Sequence, residues 1–133
     1  MTHARSPRRG LPLALALLAA GAPALAADWR SVGRTFAGNE VFVDDAATRR
    51  VGDLRTTWVR VVYPRGLDVE GQRAHTTEAL AHFDCRNRSS AGIAVIFYDD
   101  VGRELKHTLE ETVRFHVDPE GSFGALAREA LCR

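Results

Sequence analysis

Cysteine is scarce in this 133-residue chain, which has only Cys85 and Cys132. Lysine is scarcer: all but one of the 18 basic residues are arginine. No C-x-x-C or H-x-x-x-H spacing is present, and no G-x-G-x-x-G or P-loop. These absences remove the metal, dinucleotide and nucleotide sites that carry recognisable signatures, and no cofactor is expected. Asp44-Asp45 and Asp99-Asp100 lack the ladder of alternating oxygen ligands that calcium loops use, so they are expected at turns. No internal repeat or low-complexity segment stands out. Beyond residue 26 there is no uninterrupted apolar run long enough to span a bilayer, so the mature chain should have no transmembrane segment.

The one greasy stretch comes first. "MTHARSPRRG" is basic and free of acids, and "LPLALALLAAGAPALAA" follows it, closing on Ala24-Leu25-Ala26. A basic head, an apolar middle and an Ala-x-Ala tail predict a secretory signal peptide over residues 1–26. A membrane anchor is the alternative. Leu11 to Leu18 is too short for one, with Pro12 at its start and Pro23 beyond it. Arg8-Arg9 has Pro7 before it and nothing else of a twin-arginine signal. No cysteine near the cleavage site offers a lipid anchor. Residues 27–133 then form one exported domain, long enough for a modest core. Three of the 18 basic residues (Arg5, Arg8 and Arg9) leave with the leader, so 15 face 17 acids and the net charge is −2. A near-neutral domain has no bulk pull on nucleic acid or anionic membrane.

Two cysteines in an exported chain point to one bridge, Cys85–Cys132. Closing that loop would stabilise the fold by roughly 4 kcal/mol on a chain-entropy account. Two free thiols are the alternative.

Most of the domain alternates with a period of two. "TTWVRVVY" (56–63) puts Val59, Val61 and Tyr63 on one face and Trp58, Arg60 and Val62 on the other, and Pro64 should stop the strand. "NEVFVDD" (39–45) sets Val41 and Val43 against Phe42, and "DWRSVGRTF" (28–36) is a weaker strand. "GLDVEGQRA" (66–74), with two glycines and mixed charge, is expected to be a loop. "TEALAHFDCRN" (77–87) places Ala79, Ala81, Phe83 and Cys85 together, with the Cys85 sulfur inward. "GIAVIFY" (92–98) is apolar on both faces, as suits a central strand or one covered by a partner. Asp99 and Gly102 fit the first and fourth positions of a type I turn leading into 103–110, and "TVRFHV" (112–117) alternates again. Ser122 is a plausible N-cap, and Phe123, Leu126, Ala127, Ala130 and Leu131 make one helical stripe. On an ideal helix Cys132 points away from that stripe, so the helix must end or unwind before it. The fold class is α+β: an antiparallel sheet of about six strands with a C-terminal helix on one face, tethered by the disulfide.

Candidates for chemistry are few. "GSFG" (121–124) lacks nucleophile-elbow spacing, and Ser122 already has a capping role. His107 and His116 could face each other across neighbouring strands, but no acid or thiol supports them as metal ligands. No catalytic residue is assigned and an enzyme is not expected. In "CRNRSS" (85–90), Arg86 and Arg88 sit at a loop tip, where guanidinium forks suit carboxylate, sulfate or phosphate partners. They are the candidate binding residues. Arg49-Arg50, Arg60 and Arg65 add further guanidinium groups.

"WVRVVYP" (58–64), "FDCRNR" (83–88), "FYDDVGRE" (97–104) and "PEGSFGALAREALC" (119–132) occur in an order that resembles the surface-adhesin protein E family, small exported proteins of Gram-negative bacteria. The resemblance covers nearly the whole mature chain. It implies an antiparallel sheet with a disulfide-tethered terminal helix, and supports Cys85 and Cys132 as the bridge. It also implies adhesion: a protein that binds host extracellular-matrix or serum proteins and can form a homodimer. The expected location is the periplasm or the outer-membrane surface. The alternative function is a periplasmic structural or envelope-associated protein with no host ligand.

Overall fold

The computed structural model describes residues 26–133, so the signal-peptide expectation lies almost wholly outside the described residues. Eight strands are followed by one helix. They are β1 (Trp29–Arg34), β2 (Glu40–Asp44), β3 (Arg49–Val51), β4 (Leu54–Val69), β5 (Gln72–Asp84), β6 (Ser89–Tyr98), β7 (Glu104–Leu109), β8 (His116–Val117) and α1 (Phe123–Leu131). The sheet is antiparallel in the order β1-β2-β4-β5-β6-β7. Short β3 pairs with β4, and β8 pairs with β6.

The alternation sorts the two faces as expected. Val41, Val43 and Val59 are fully buried, with Val61, Ala81, Phe83 and Ala127 beside them, while Phe42 and Trp58 lie on the outer face. Each such valine contributes on the order of 1.5–3 kcal/mol before entropy is subtracted. Helix α1 lies on the inner face and touches β1, β2, β4, β5 and β6. Ser122 caps it by accepting the Ala125 N–H at 3.2 Å.

The helix is rotated from the expected stripe. Gly124, Ala125, Ala127 and Arg128 are its buried residues, and Leu126 and Leu131 pack at the margin of the core. Phe123 is 45% exposed, not core. The cause is a buried ion pair: Arg128 Nε meets Asp118 Oδ2 at 3.4 Å, with both side chains under a tenth exposed. Ser90 donates its hydroxyl hydrogen to the same carboxylate, and Gly124 lies against the group where a side chain would collide. Pairing this charge takes priority over burying Phe123, because an unpaired buried charge is costly.

Pro64 does not end its strand. Strand β4 runs on to Val69, and the pairing slips between Val62 and Leu67. Tyr63, Pro64, Arg65 and Gly66 form the wide side of this irregularity, so the missing proline donor costs no ladder bond. Gly66 takes positive φ there. Residues 66–74, expected as a loop, are therefore the distal arm of the β4–β5 hairpin, turning at Glu70-Gly71, with Ala74 fully buried. The arm closes onto β7 through an ion pair between Glu70 and Lys106. In the expected strand 112–117 only His116–Val117 pairs; the rest is a loop whose Phe115 stacks on His82 at 6.3 Å.

The β6–β7 turn forms as the sequence reading requires. Asp99 Oδ1 accepts the N–H groups of Val101 and Arg103, and Gly102 takes a φ of 80°. Cys85 lies one residue past the end of β5, not inside a strand, and donates its N–H to Asp53 O at 2.9 Å. It is bonded to Cys132, with Cα atoms 5.5 Å apart. The helix ends at Leu131, and Cys132 is its C-cap. That resolves the direction problem, since the sulfur leaves the helical path one residue early. Among the described residues no helix is long and apolar enough to cross a membrane.

Candidate functional site

Arg86, Asn87 and Arg88 form the tip between β5 and β6, and all three are exposed. Asp84 builds the turn. Its Oδ1 accepts the N–H groups of Arg86 (2.9 Å) and Asn87 (3.1 Å), and its Oδ2 accepts from Asn87 Nδ2 at 2.7 Å. These bonds, the Asn87 side chain first among them, hold the Asp84 carboxyl below its ordinary value. Among the described residues Arg88 is one of two non-glycine residues with positive φ, at 53°. Its carbonyl accepts the Asp118 N–H at 3.3 Å, which ties the tip to the segment entering α1. The disulfide anchors the other side of the tip through Cys85.

The sheet register brings a second basic pair to this end. Arg49 and Arg50, exposed on β3, lie opposite Thr56 and Arg55. Leu54 of the same hairpin lies opposite Asp84. Arg55 is buried and already committed: it donates to the carbonyls of Leu131, Gly52 and Leu54, and so places a cation at the C-terminus of α1. The other sequence candidates are elsewhere. Arg65 is exposed in the β4 irregularity, and Arg60 lies on the outer face. There Arg60 donates twice to Glu78 Oε1, at 3.1 and 2.7 Å, and stacks 4.2 Å over the Trp29 ring.

Two clefts of similar volume open on the surface. One, of about 570 Å³, is lined by Arg60, Glu78, Tyr98 and the Asp99–Gly102 turn. Burial pushes the Tyr98 phenol above its ordinary value, and the Glu78 and Glu104 carboxylates add to the shift. The other, of about 550 Å³, opens where the 110–115 loop leaves the β6 edge at Gly92. Its lining includes His116 but not His107. The two histidines do not face each other, because His107 lies opposite Ile96 and His116 opposite Ser90. At ~3.3 Å per residue those positions are about 20 Å apart along β6. Among the described residues no three His, Cys, Asp or Glu side chains converge as metal ligands. The Ser122 hydroxyl is engaged as the helix cap.

The surface-adhesin protein E family model matches residues 29–133. The chain belongs to the surface-adhesin protein E family. Its fold is similar to that of Haemophilus influenzae protein E. In crystal form II of that protein the TM-score is 0.54 at 18% identity, covering 82% of this chain and 93% of that one. In its selenomethionine form the values are 0.51 and 19%, covering 82% and 92%. No curated protein matches at a significant level. At these identities the likeness to the solved structures carries the fold alone, while membership of the family makes this an adhesin-like surface protein.

The single-strand alternation and the "CRNR" turn were legible signals of the site. The contribution of Arg49 and Arg50 was not, because they reach the disulfide end only through pairing with β4. An Arg-Arg pair just before a two-residue Gly-Asp turn is the signal that could have located them.

Proposed function

We propose that this is an exported, non-enzymatic binding protein that attaches to host extracellular-matrix or serum proteins. In this reading residues 1–26 are a cleaved signal peptide, and the mature domain stands in the periplasm or at the outer-membrane surface. The rigid tip carrying Arg86 and Arg88 makes contact with the partner, aided by the outer sheet face. Membership of the adhesin family, over residues 29–133, is the observation that carries the proposal. The geometry of the tip supports it. Two exposed guanidinium groups are held by a carboxylate-built turn and a covalent anchor, so little side-chain or loop entropy is left to lose on binding beyond the arginines themselves. A homodimer would pair on the outer face, where Trp58, Leu80 and Ile96 remain half-exposed.

Solid-phase binding to laminin and vitronectin tests the proposal, using the mature domain and its Arg86→Ala/Arg88→Ala variant. Saturable binding at micromolar concentration or below, weakened in the variant, is the expected result. No binding to either protein ends the adhesive reading. Binding that the variant leaves unchanged removes the two arginines from it.

A further inference from the structure

The basic side chains of the sheet divide into two groups. Arg30, Arg34, Arg60, Arg103, Lys106 and Arg128 each meet a carboxylate. Arg49, Arg50, Arg86 and Arg88 meet none, and all four are exposed at the disulfide end. Among the described residues Arg65, Arg73 and Arg114 meet no carboxylate either: Arg73 donates to the Arg65 carbonyl on the distal arm of the β4–β5 hairpin, away from the disulfide, and Arg114 lies in the 110–115 loop. The acids near the disulfide are Asp53, Asp84 and, in the last turn of α1, Glu129, and the Asp84 oxygens are filled by the turn. Arg133 is also exposed there, beside Cys132. In a domain whose net charge is −2, this is a local concentration of free guanidinium groups.

Its shape narrows the partner. Arg49 shares the outer face with Thr56, whose hydroxyl bonds to His82. Arg50 shares the inner face with Arg55, which reaches the end of α1. The four arginines therefore surround the narrow end of the sheet instead of covering one flat face. A protein partner needs several hundred Å² with an apolar centre. The large exposed apolar side chains at the tip are Val51 and, opposite Ser89, Val117. That is too little for a protein interface, and it lacks the aromatic or leucine wedge used to enter a lipid surface. Phe115 is exposed but already stacks on His82, and a single ring is no platform for successive nucleic-acid bases. A thin, flexible chain bearing sulfate groups needs only point contacts around a rim, and planar guanidinium forks match sulfate oxygens two at a time. Arg88 supplies an independent sign of selection for charge. It occupies a left-handed conformation that glycine or asparagine would adopt more cheaply.

We infer that Arg49, Arg50, Arg86 and Arg88 form a rim that binds linear sulfated polysaccharide. This deepens the reading above and rests on it, since it names the chemistry the arginine tip would find on matrix material. Heparin binding to the mature domain, measured by titration calorimetry, is the test. Four contacts to a flexible polyanion, at about 0.7 per contact in log–log salt slope, give roughly a fifty-fold loss of affinity between about 50 and 200 mM salt. The Arg49→Ala/Arg50→Ala/Arg86→Ala/Arg88→Ala variant should lose at least tenfold, with an unchanged melting temperature showing that it is folded. A charge-matched pair of conservative replacements, Arg86→Lys/Arg88→Lys, should recover part of the affinity. The Arg65→Ala/Arg114→Ala variant should bind as the parent does. Hyaluronan, which carries carboxylates without sulfate, should bind far more weakly than heparin.

The inference is overturned by no heparin binding at about 50 mM salt, or by equal losses in the rim and Arg65/Arg114 variants. Stronger binding to polyglutamate or to phosphatidylglycerol vesicles than to heparin overturns it too. Laminin stripped of its glycans separates the two levels. If the domain binds stripped laminin but not heparin, the polysaccharide inference fails and the adhesive reading stands. If it binds heparin but neither matrix protein, the reverse holds.

Discussion

Replacing Gly124 with alanine should destabilise the domain, although the same change in an ordinary helix stabilises it. Gly124 is the second residue of α1, and glycine there costs the helix up to about 1 kcal/mol relative to alanine. Against that gain stands the space the methyl group would need. A Cβ at this position would run into Asp118 Oδ1 and come within 3.0 Å of Asp118 Cγ and 3.2 Å of Ser90 Oγ. These atoms cannot give way freely. Asp118 is paired with Arg128 beneath the helix, and Ser90 donates to it. Overpacking of this kind costs about 1–3 kcal/mol, and loosening a buried ion pair adds to it, so a net loss of roughly 1–2 kcal/mol is expected. For a domain of this size that lowers Tm by about 4–16 °C. Urea denaturation followed by tryptophan fluorescence measures it, with the slope checked for constancy. A midpoint equal to or above the parent's would refute the claim that this ion pair sets the rotation of the helix.

Two further changes follow from the same structure. Cys132→Ser opens a closed loop of 47 residues, which should cost about 4 kcal/mol and roughly 15–30 °C in Tm under non-reducing conditions; hydrogen exchange should show α1 losing protection first, and equal melting of variant and oxidised parent would contradict this. The Asp84 carboxyl, lowered by its turn bonds, contributes stability that is present above the ordinary carboxylate value and lost as pH falls through the lowered one. Its NMR titration should therefore have a midpoint below that of an exposed aspartate, moving up in Asn87→Ala; an ordinary midpoint in the parent would remove the carboxylate from the account of the tip.

Period-two alternation predicted which way Val41, Val43, Val59, Val61 and Phe83 face, because each strand has one dry side and a single-residue slip would expose all of them. The Asp99–Gly102 turn was legible for a local reason: every bond that makes it lies within five residues. Failures came where the deciding contact is distant in sequence. Pro64 looked like a strand end because nothing nearby reveals that four residues of β4 bypass one of β5. The arm at 66–74 looked like a loop because its glycines and charges are those of a turn, and its partner Lys106 is far along the chain. Phe123 looked like core because its spacing fits the stripe, while the Asp118–Arg128 pair that outweighs it has no periodic signature. At the site, Arg86 and Arg88 could be placed on a tip from the sequence. Arg49 and Arg50 join them only through strand order.

Location decides the account most directly. In the native bacterium, intact cells should be labelled by an antibody against the folded domain, or lose the protein to added protease, while a periplasmic marker stays protected. That result places the arginine tip where a host partner can reach it. Detection only after the outer membrane is permeabilised would contradict an adhesive function and leave a periplasmic role in its place.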